Sequence, residues 1–150
     1  MKSKFIDAYM DVAERFAQLS HAKRLQVGAI IIKDDRIISI GYNGMPTGWD
    51  NCCEHTIQHH ELGTCTTVSK AEVLHAETNA VAKLAKSGES GLGATMFVTH
   101  APCIDCAKLV YQSGIATVYY KNKYRSTQGL EFLNKSGVEV IHHHTLEEQP

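Results

Sequence analysis

The chain has 150 residues, 15 of them Lys or Arg and 16 Asp or Glu, for a formal net charge of −1. That length suits one domain with a core of its own. The charge balance excludes the broad basic footprint of a protein that coats DNA or RNA, although not a local pocket for one phosphate.

Five cysteines would leave one over in a closed disulfide framework. No stretch has the length of a membrane span or the apolar run of a signal segment. A cytosolic enzyme is the simplest class, with a zinc-held structural module and a small binding protein as alternatives. Phe5, Tyr9, Val12, Phe16 and Leu19 recur at helical spacing and predict a first helix over about 4–20, its apolar stripe against a sheet. His21 and Lys23 read as solvated positive charge at its end. A strand over 26–31, a turn at Asp34-Asp35 and a second strand over 36–42 follow. Arg24 stands just before the first strand. It can pin the helix end through carbonyls, or hold a carboxylate or phosphate in its donor fork. Gly41 to Gly48 is turn chemistry at a sheet edge. Within it Asn43 offers a donor and an acceptor, to a ligand or to a local Asx turn.

The stretch from about 50 to 70 shows no helical or strand period and reads as a loop-like insertion rich in Cys and His. Cys52, His55, His59, His60 and Cys65 could supply a second zinc that clamps it. The spacing matches no familiar finger, and the alternative is a buried Cys among exposed His residues with no metal.

Ser69 with Glu72 three positions on is a capping-box pattern, and a sustained helix is expected over 75–86. His75 and Glu77 are not an i,i+4 pair, so both reach one site only at the helix N-terminus. A strand over 94–99 leads through His100-Ala101-Pro102 into a helix over 103–112. Cys103 and Cys106, three apart at that helix start, can converge on one metal, which favours thiolate. A Cys-x-x-Cys alone could be a redox pair. With His75 upstream it becomes an imidazole and two thiolates, leaving a fourth tetrahedral position for water. Glu77 is placed to handle that water's protons. His100 is a further polar neighbour, suited to a metal contact or a structural hydrogen bond. A strand over 117–120, a helix over 126–136 and a strand over 138–141 complete the pattern, with His142, His143 and His144 opening an exposed, flexible tail from about 142. Strands joined by helices predict a single α/β domain over 1–150 with a mixed sheet.

His-x-Glu followed by Pro-Cys-x-x-Cys is the signature of zinc nucleobase deaminases. The chain adds Arg24-x-x-Val27-Gly28-Ala29, Gly41-Tyr42-Asn43-Gly44-x-Pro46 and Asn51-Cys52. It continues with His75-Ala76-Glu77-x-Asn79-Ala80, Thr99-x-x-Pro102-Cys103-x-x-Cys106-Ala107, Gly114-Ile115 and Lys123-Tyr124. On these motifs it resembles the deoxycytidylate (dCMP) deaminase family, bacteriophage type, within the zinc-dependent cytidine/deoxycytidylate deaminase superfamily. The resemblance implies a cytidine-deaminase-like three-layer α-β-α fold with a five-stranded mixed sheet. It implies a catalytic Zn2+ on His75, Cys103 and Cys106, with Glu77 carrying a proton from the activated water to N3 and to the leaving ammonia. The reaction implied is dCMP to dUMP, which feeds thymidylate synthesis. Asn43 would contact the sugar, the backbone near Ala76 the base edge, and Arg24 and Tyr124 the sugar-phosphate region.

The resemblance further implies a homo-oligomer, with a hexamer favoured. It implies a dCTP activator and a dTTP inhibitor bound with Mg2+ in a region that includes Gly44 and Asn51. The expected location is cytoplasmic, in the host cytoplasm for a phage-encoded chain, with no stable nucleic-acid partner and no membrane association. The same metal chemistry would serve a cytidine or deoxycytidine deaminase. It would also serve a tRNA-type polynucleotide deaminase, against which the near-neutral charge weighs. A catalytically silent zinc scaffold would keep the ligands without the reaction.

Overall fold

Two central strands with apolar residues on both faces decide the architecture, because each face then needs its own cover. The computed structural model describes residues 1–144. Helix α1 (Ser3–Ala17) leads into β1 (Gly28–Lys33) and β2 (Arg36–Tyr42). Next come β3 (Glu54–His59), β4 (Thr64–Ser69), α2 (Ala76–Ala85) and β5 (Thr95–His100), and then α3 (Ile104–Gln112), β6 (Thr117–Asn122), α4 (Gln128–Lys135) and β7 (Glu139–His142). The main sheet has the order β2-β1-β5-β6-β7. Strand β1 runs antiparallel to β2 and β5, whereas β6 is parallel to β5 and β7. The sheet is therefore mixed and five-stranded, as the resemblance implies.

Ile30, Ile32, Phe97 and Tyr119 pack on Met10 and Ala13 of α1. Ala29, Ile31, Met96, Val98 and Val118 face the other way, into a core with Ala80 and Leu84 of α2, Val110 of α3 and Leu133 of α4. That gives three layers, with α1 alone on one face. Full burial of each larger apolar side chain contributes about 1.5–3 kcal/mol. Helix α2 lies so tightly on β2 that a Cβ at Gly41 would clash with the Ala76 carbonyl oxygen. The glycine thus brings the start of α2 against the sheet. Among the described residues, no helix is long and apolar enough to cross a membrane.

Two segments depart from the sequence reading. The expected loop over 50–70 contains a two-stranded hairpin, β3 paired antiparallel with β4 from Glu54↔Ser69 to His59↔Thr64. Gly63, at φ 63°, supplies the left-handed position in its turn. Ser69 is consequently the last residue of β4 and caps no helix; the N-cap of α2 is His75. The second departure is at the tail. His142 closes β7 and stacks on Tyr120, ring centroids 4.7 Å apart. His143 is buried, its backbone N–H donates to the Tyr120 carbonyl (2.7 Å) and its imidazole meets the Asp7 carboxylate (2.8 Å). His143 thus ties α1 to the sheet edge. The remainder of the expected tail, 145–150, lies outside the described residues.

Candidate active site

The chemistry collects at one end of the sheet. Parallel β5 and β6 finish there, β1 begins opposite the end of β5, and β2 ends beside it. The N-termini of α2 and α3 meet at that end, the usual position for a ligand in an open α/β sheet. His75 is the N-cap of α2 and Cys103 the N-cap of α3, both with extended backbone, and neither side chain caps its own helix. Both side chains are thus left free to ligate. Cys106 lies one turn into α3, on the side facing them.

The three donor atoms lie within 4.8 Å of one another. His75 Nδ1 is 3.2 Å from Cys106 Sγ and 3.7 Å from Cys103 Sγ. Tetrahedral zinc, with bonds of about 2.0–2.3 Å, places neighbouring N and S donors about 3.5 Å apart. The triangle therefore fits zinc in spacing and in donor chemistry. Its protons are shared unequally. The Cys103 thiol is pushed down to about 4, first by its hydrogen bond with Cys106 and then by that with His75. The same Cys103 contact, together with burial, pushes Cys106 up. The Cys103 hydrogen bond also raises His75.

Glu77, in the first turn of α2, is only 5% exposed. Burial pushes its carboxyl up to about 7, against smaller downward pulls from its own backbone N–H and the His75 charge. A carboxyl titrating near neutrality can both accept and donate a proton. His100 takes the structural role: Thr99 Oγ1 lies 3.0 Å from its Nδ1 and also accepts the Gly28 N–H. Burial pushes His100 down, which keeps it neutral. Gly129, at the start of α4, allows that helix to lie on the Pro102 and Cys103 carbonyls, where a Cβ would clash. Helix α4 thereby buttresses the ligand turn, a contact with no local signal in the sequence.

The residues expected near a nucleotide lie around the same sheet end. Ala76, the first residue of α2, is fully buried beside the ligands. Asn43 is also buried, but both ends of its amide are engaged. Its Oδ1 accepts the Val27 N–H (2.9 Å) and its Nδ2 donates to the Leu25 carbonyl (2.8 Å). Asn43 clamps the segment before β1 from across the β1–β2 unit. Arg24 is exposed, with Nη1 donating to Ser69 Oγ at 3.3 Å. Tyr124, two residues past β6, is half-buried under the Arg125 guanidinium, which lies 5.6 Å from its ring centroid. Gly44 forms a bridge with Leu74, exchanging both backbone hydrogen bonds, and so fixes the residue just before His75. Asn51 lies in the exposed strand-free turn before β3, its carbonyl accepting from the Cys53 thiol.

The residues offered for a second metal are not brought together. Directly paired residues of a hairpin share a face. His55 and His59 therefore lie on one face with Val68 and Thr64, while Cys65, paired with Gln58, lies on the other. His59 instead engages Thr66 Oγ1 at 2.8 Å, and the Cys52 thiol donates to the Glu54 carbonyl. His60 is in the turn. Among the described residues, only His75, Cys103 and Cys106 converge as a metal-binding group. Sequence reasoning passed over Glu54. It is buried, and its Oε1 accepts the backbone N–H of both Lys23 (2.8 Å) and Arg24 (3.1 Å).

Paired helix N-termini holding a His/Cys/Cys triangle beside a buried glutamate, on a three-layer mixed sheet, define a zinc-dependent hydrolase of the nucleobase deaminase class. Comparison with known proteins narrows this. The profile of the cytidine and deoxycytidylate deaminase zinc-binding region matches residues 3–122. A dCMP deaminase from cyanophage S-TIM5, solved in complex with dCMP and dUMP, superposes with a TM-score of 0.85 at 46% identity, covering 95% of this chain and 99% of that one. The deoxycytidylate deaminase of Enterobacteria phage T4 is 34% identical over 88% of this chain and 86% of its own length. ComE operon protein 2 of Bacillus subtilis is 38% identical over 88% of this chain and 67% of its own. The chain belongs to the cytidine and deoxycytidylate deaminase family, and within it to the bacteriophage-type dCMP deaminases.

Proposed function

We propose that this chain catalyses the hydrolytic deamination of dCMP to dUMP and ammonia. The observation that carries the reading is Glu77, buried against the His75, Cys103 and Cys106 triangle with its carboxyl pushed up to about 7. The phage relative solved with dCMP and dUMP supports the choice of substrate. His75, Cys103 and Cys106 would hold zinc, which would supply a water acidified to near neutrality. The Glu77 carboxylate takes one proton from the attacking water and passes it to N3 as the oxygen adds to C4. It then takes the second from the new C4 hydroxyl and passes it to the 4-amino group, so that the C4–N bond breaks, the C4 carbonyl forms and ammonia departs. Burial keeps the carboxyl dry enough to work in both directions at neutral pH. Ala76 offers its backbone to the base edge. Arg24 and Tyr124 serve the sugar-phosphate, and Asn43 reaches the sugar with the one N–H and one lone pair left to it.

An absorbance assay with dCMP, deoxycytidine, CMP and dCTP tests this. A strong preference for dCMP is expected, and equal rates with and without the 5'-phosphate would sink the assignment. We extend the reading to one Zn2+ per chain; its support is the register that separates His55 and His59 from Cys65. We also extend it to a homohexamer activated by dCTP and inhibited by dTTP with Mg2+, acting in the cytoplasm. The family motifs around Gly44 and Asn51 support regulation. Exposed Trp49 and Leu62 offer apolar surface for assembly. Sedimentation with and without each nucleotide checks both.

A further inference from the structure

The segment between α1 and β1 belongs to no helix or strand, yet side chains from three directions hold it. Glu54, the first residue of β3, accepts the N–H of Lys23 and of Arg24 on one carboxylate oxygen. Ser69, paired with Glu54 at the far end of β4, accepts from the Arg24 guanidinium. Asn43 takes Leu25 and Val27. Through Gly44 and Leu74 the same network runs to His75. Glu54 is 7% exposed, and among the described residues no side-chain cation pairs with it. A buried carboxylate is costly unless its charge is met. Here two backbone donors meet it, and the consequence is a fixed turn carrying two adjacent cations at the substrate end of the sheet.

We propose that Glu54 is a positioning residue for the 5'-phosphate. The hairpin presents it to lock the Lys23–Arg24 backbone, so that both cations face a nucleotide phosphate without being ordered on binding. This rests on the dCMP reading of the site and adds that the hairpin makes the enzyme prefer a nucleotide to a nucleoside. Fixing a flexible residue costs conformational entropy, and a turn already fixed spares the ligand that cost. With a net charge of −1 the chain has little long-range attraction for an anion, so local placement of these cations has to supply the discrimination.

The test compares dCMP with deoxycytidine in the zinc-loaded wild type, Glu54→Ala, Glu54→Gln and Ser69→Ala. Glu54→Ala should raise KM for dCMP about 10-fold or more, with kcat and all deoxycytidine kinetics within about twofold of wild type. Glu54→Gln keeps an acceptor oxygen and should recover most of the loss. Ser69→Ala, at an exposed position, should raise the dCMP KM about threefold and leave deoxycytidine alone. A parallel fall for both substrates, or an unchanged dCMP-to-deoxycytidine ratio, overturns the proposal while leaving dCMP deamination intact. If Glu54→Ala does not fold, the ratio in Glu54→Gln and Ser69→Ala decides in the same way. A wild type that ignores the phosphate defeats the substrate reading itself, before any variant is made.

Discussion

Replacing Glu77 by Gln should weaken the enzyme and strengthen the fold, and the two effects separate by pH. The carboxyl is pushed from its ordinary 4.5 up to about 7 by burial. Its folded-state value is raised, so its favourable contribution is complete below about pH 4.5 and disappears as pH rises through about 7. Between its ordinary 4.5 and about 7 that loss amounts to about 3 kcal/mol. Gln carries no charge and loses nothing. Urea unfolding of metal-stripped protein under reducing conditions, from pH 5 to 8.5, should show the stability of Glu77→Gln rising relative to wild type across the range. Stripping matters because a bound cation would draw the carboxyl back down. In the zinc-loaded variant, deamination should fall about 10²–10⁴-fold while zinc content stays constant. A stability difference that is flat with pH within about 1 kcal/mol would refute the burial argument. Retained activity would refute the proton-carrying role.

Zinc counting by atomic emission should give one ion per chain for wild type, and the same for Cys65→Ser and His59→Ala; Cys106→Ser should lose it. Gly129→Ala should lower the melting temperature, by about 1–3 kcal/mol of overpacking, and weaken zinc retention, although Ala is ordinarily the better helix former by about 1 kcal/mol. The contact with the Pro102 and Cys103 carbonyls reverses that sign. Asp7→Ala leaves the buried His143 imidazole without its one partner among the described residues, within which its Nδ1 is unbonded already. Chemical denaturation should show a loss of about 1–3 kcal/mol with deamination per folded molecule unchanged.

The metal triangle was legible because its geometry is local. A Cys-x-x-Cys at a helix start places both sulfurs on one turn, and a His at another helix start needs only that the two N-termini meet. The α/β alternation brings about that meeting, with β5 delivering Cys103 to the sheet end where α2 begins. The core strands were legible for a similar reason. Ile30, Ile31, Ile32, Phe97 and Val98 are apolar on both faces, which only a covered sheet accommodates.

The hairpin was hidden because neither of its faces forms a core. Residues 54–59 and 64–69 carry few large apolar side chains, so no period of two appears, and Cys and His invited a metal explanation instead. The overlooked signal was β-branching: Thr56, Ile57, Thr64, Thr66, Thr67 and Val68 suit a pleated, solvated ribbon. What anchors that ribbon is non-local. The Glu54 carboxylate reaches residues 31 and 30 positions upstream, and nothing around Glu54 in the chain marks it for burial. The same holds for Asn43, whose side chain closes on Leu25 and Val27 across the β1–β2 unit. Polar side chains that bind backbone across long separations leave no periodic trace, so the residues that shape the nucleotide end of this site appear only once the fold is known. The metal ligands, set by helix starts, do not share that dependence.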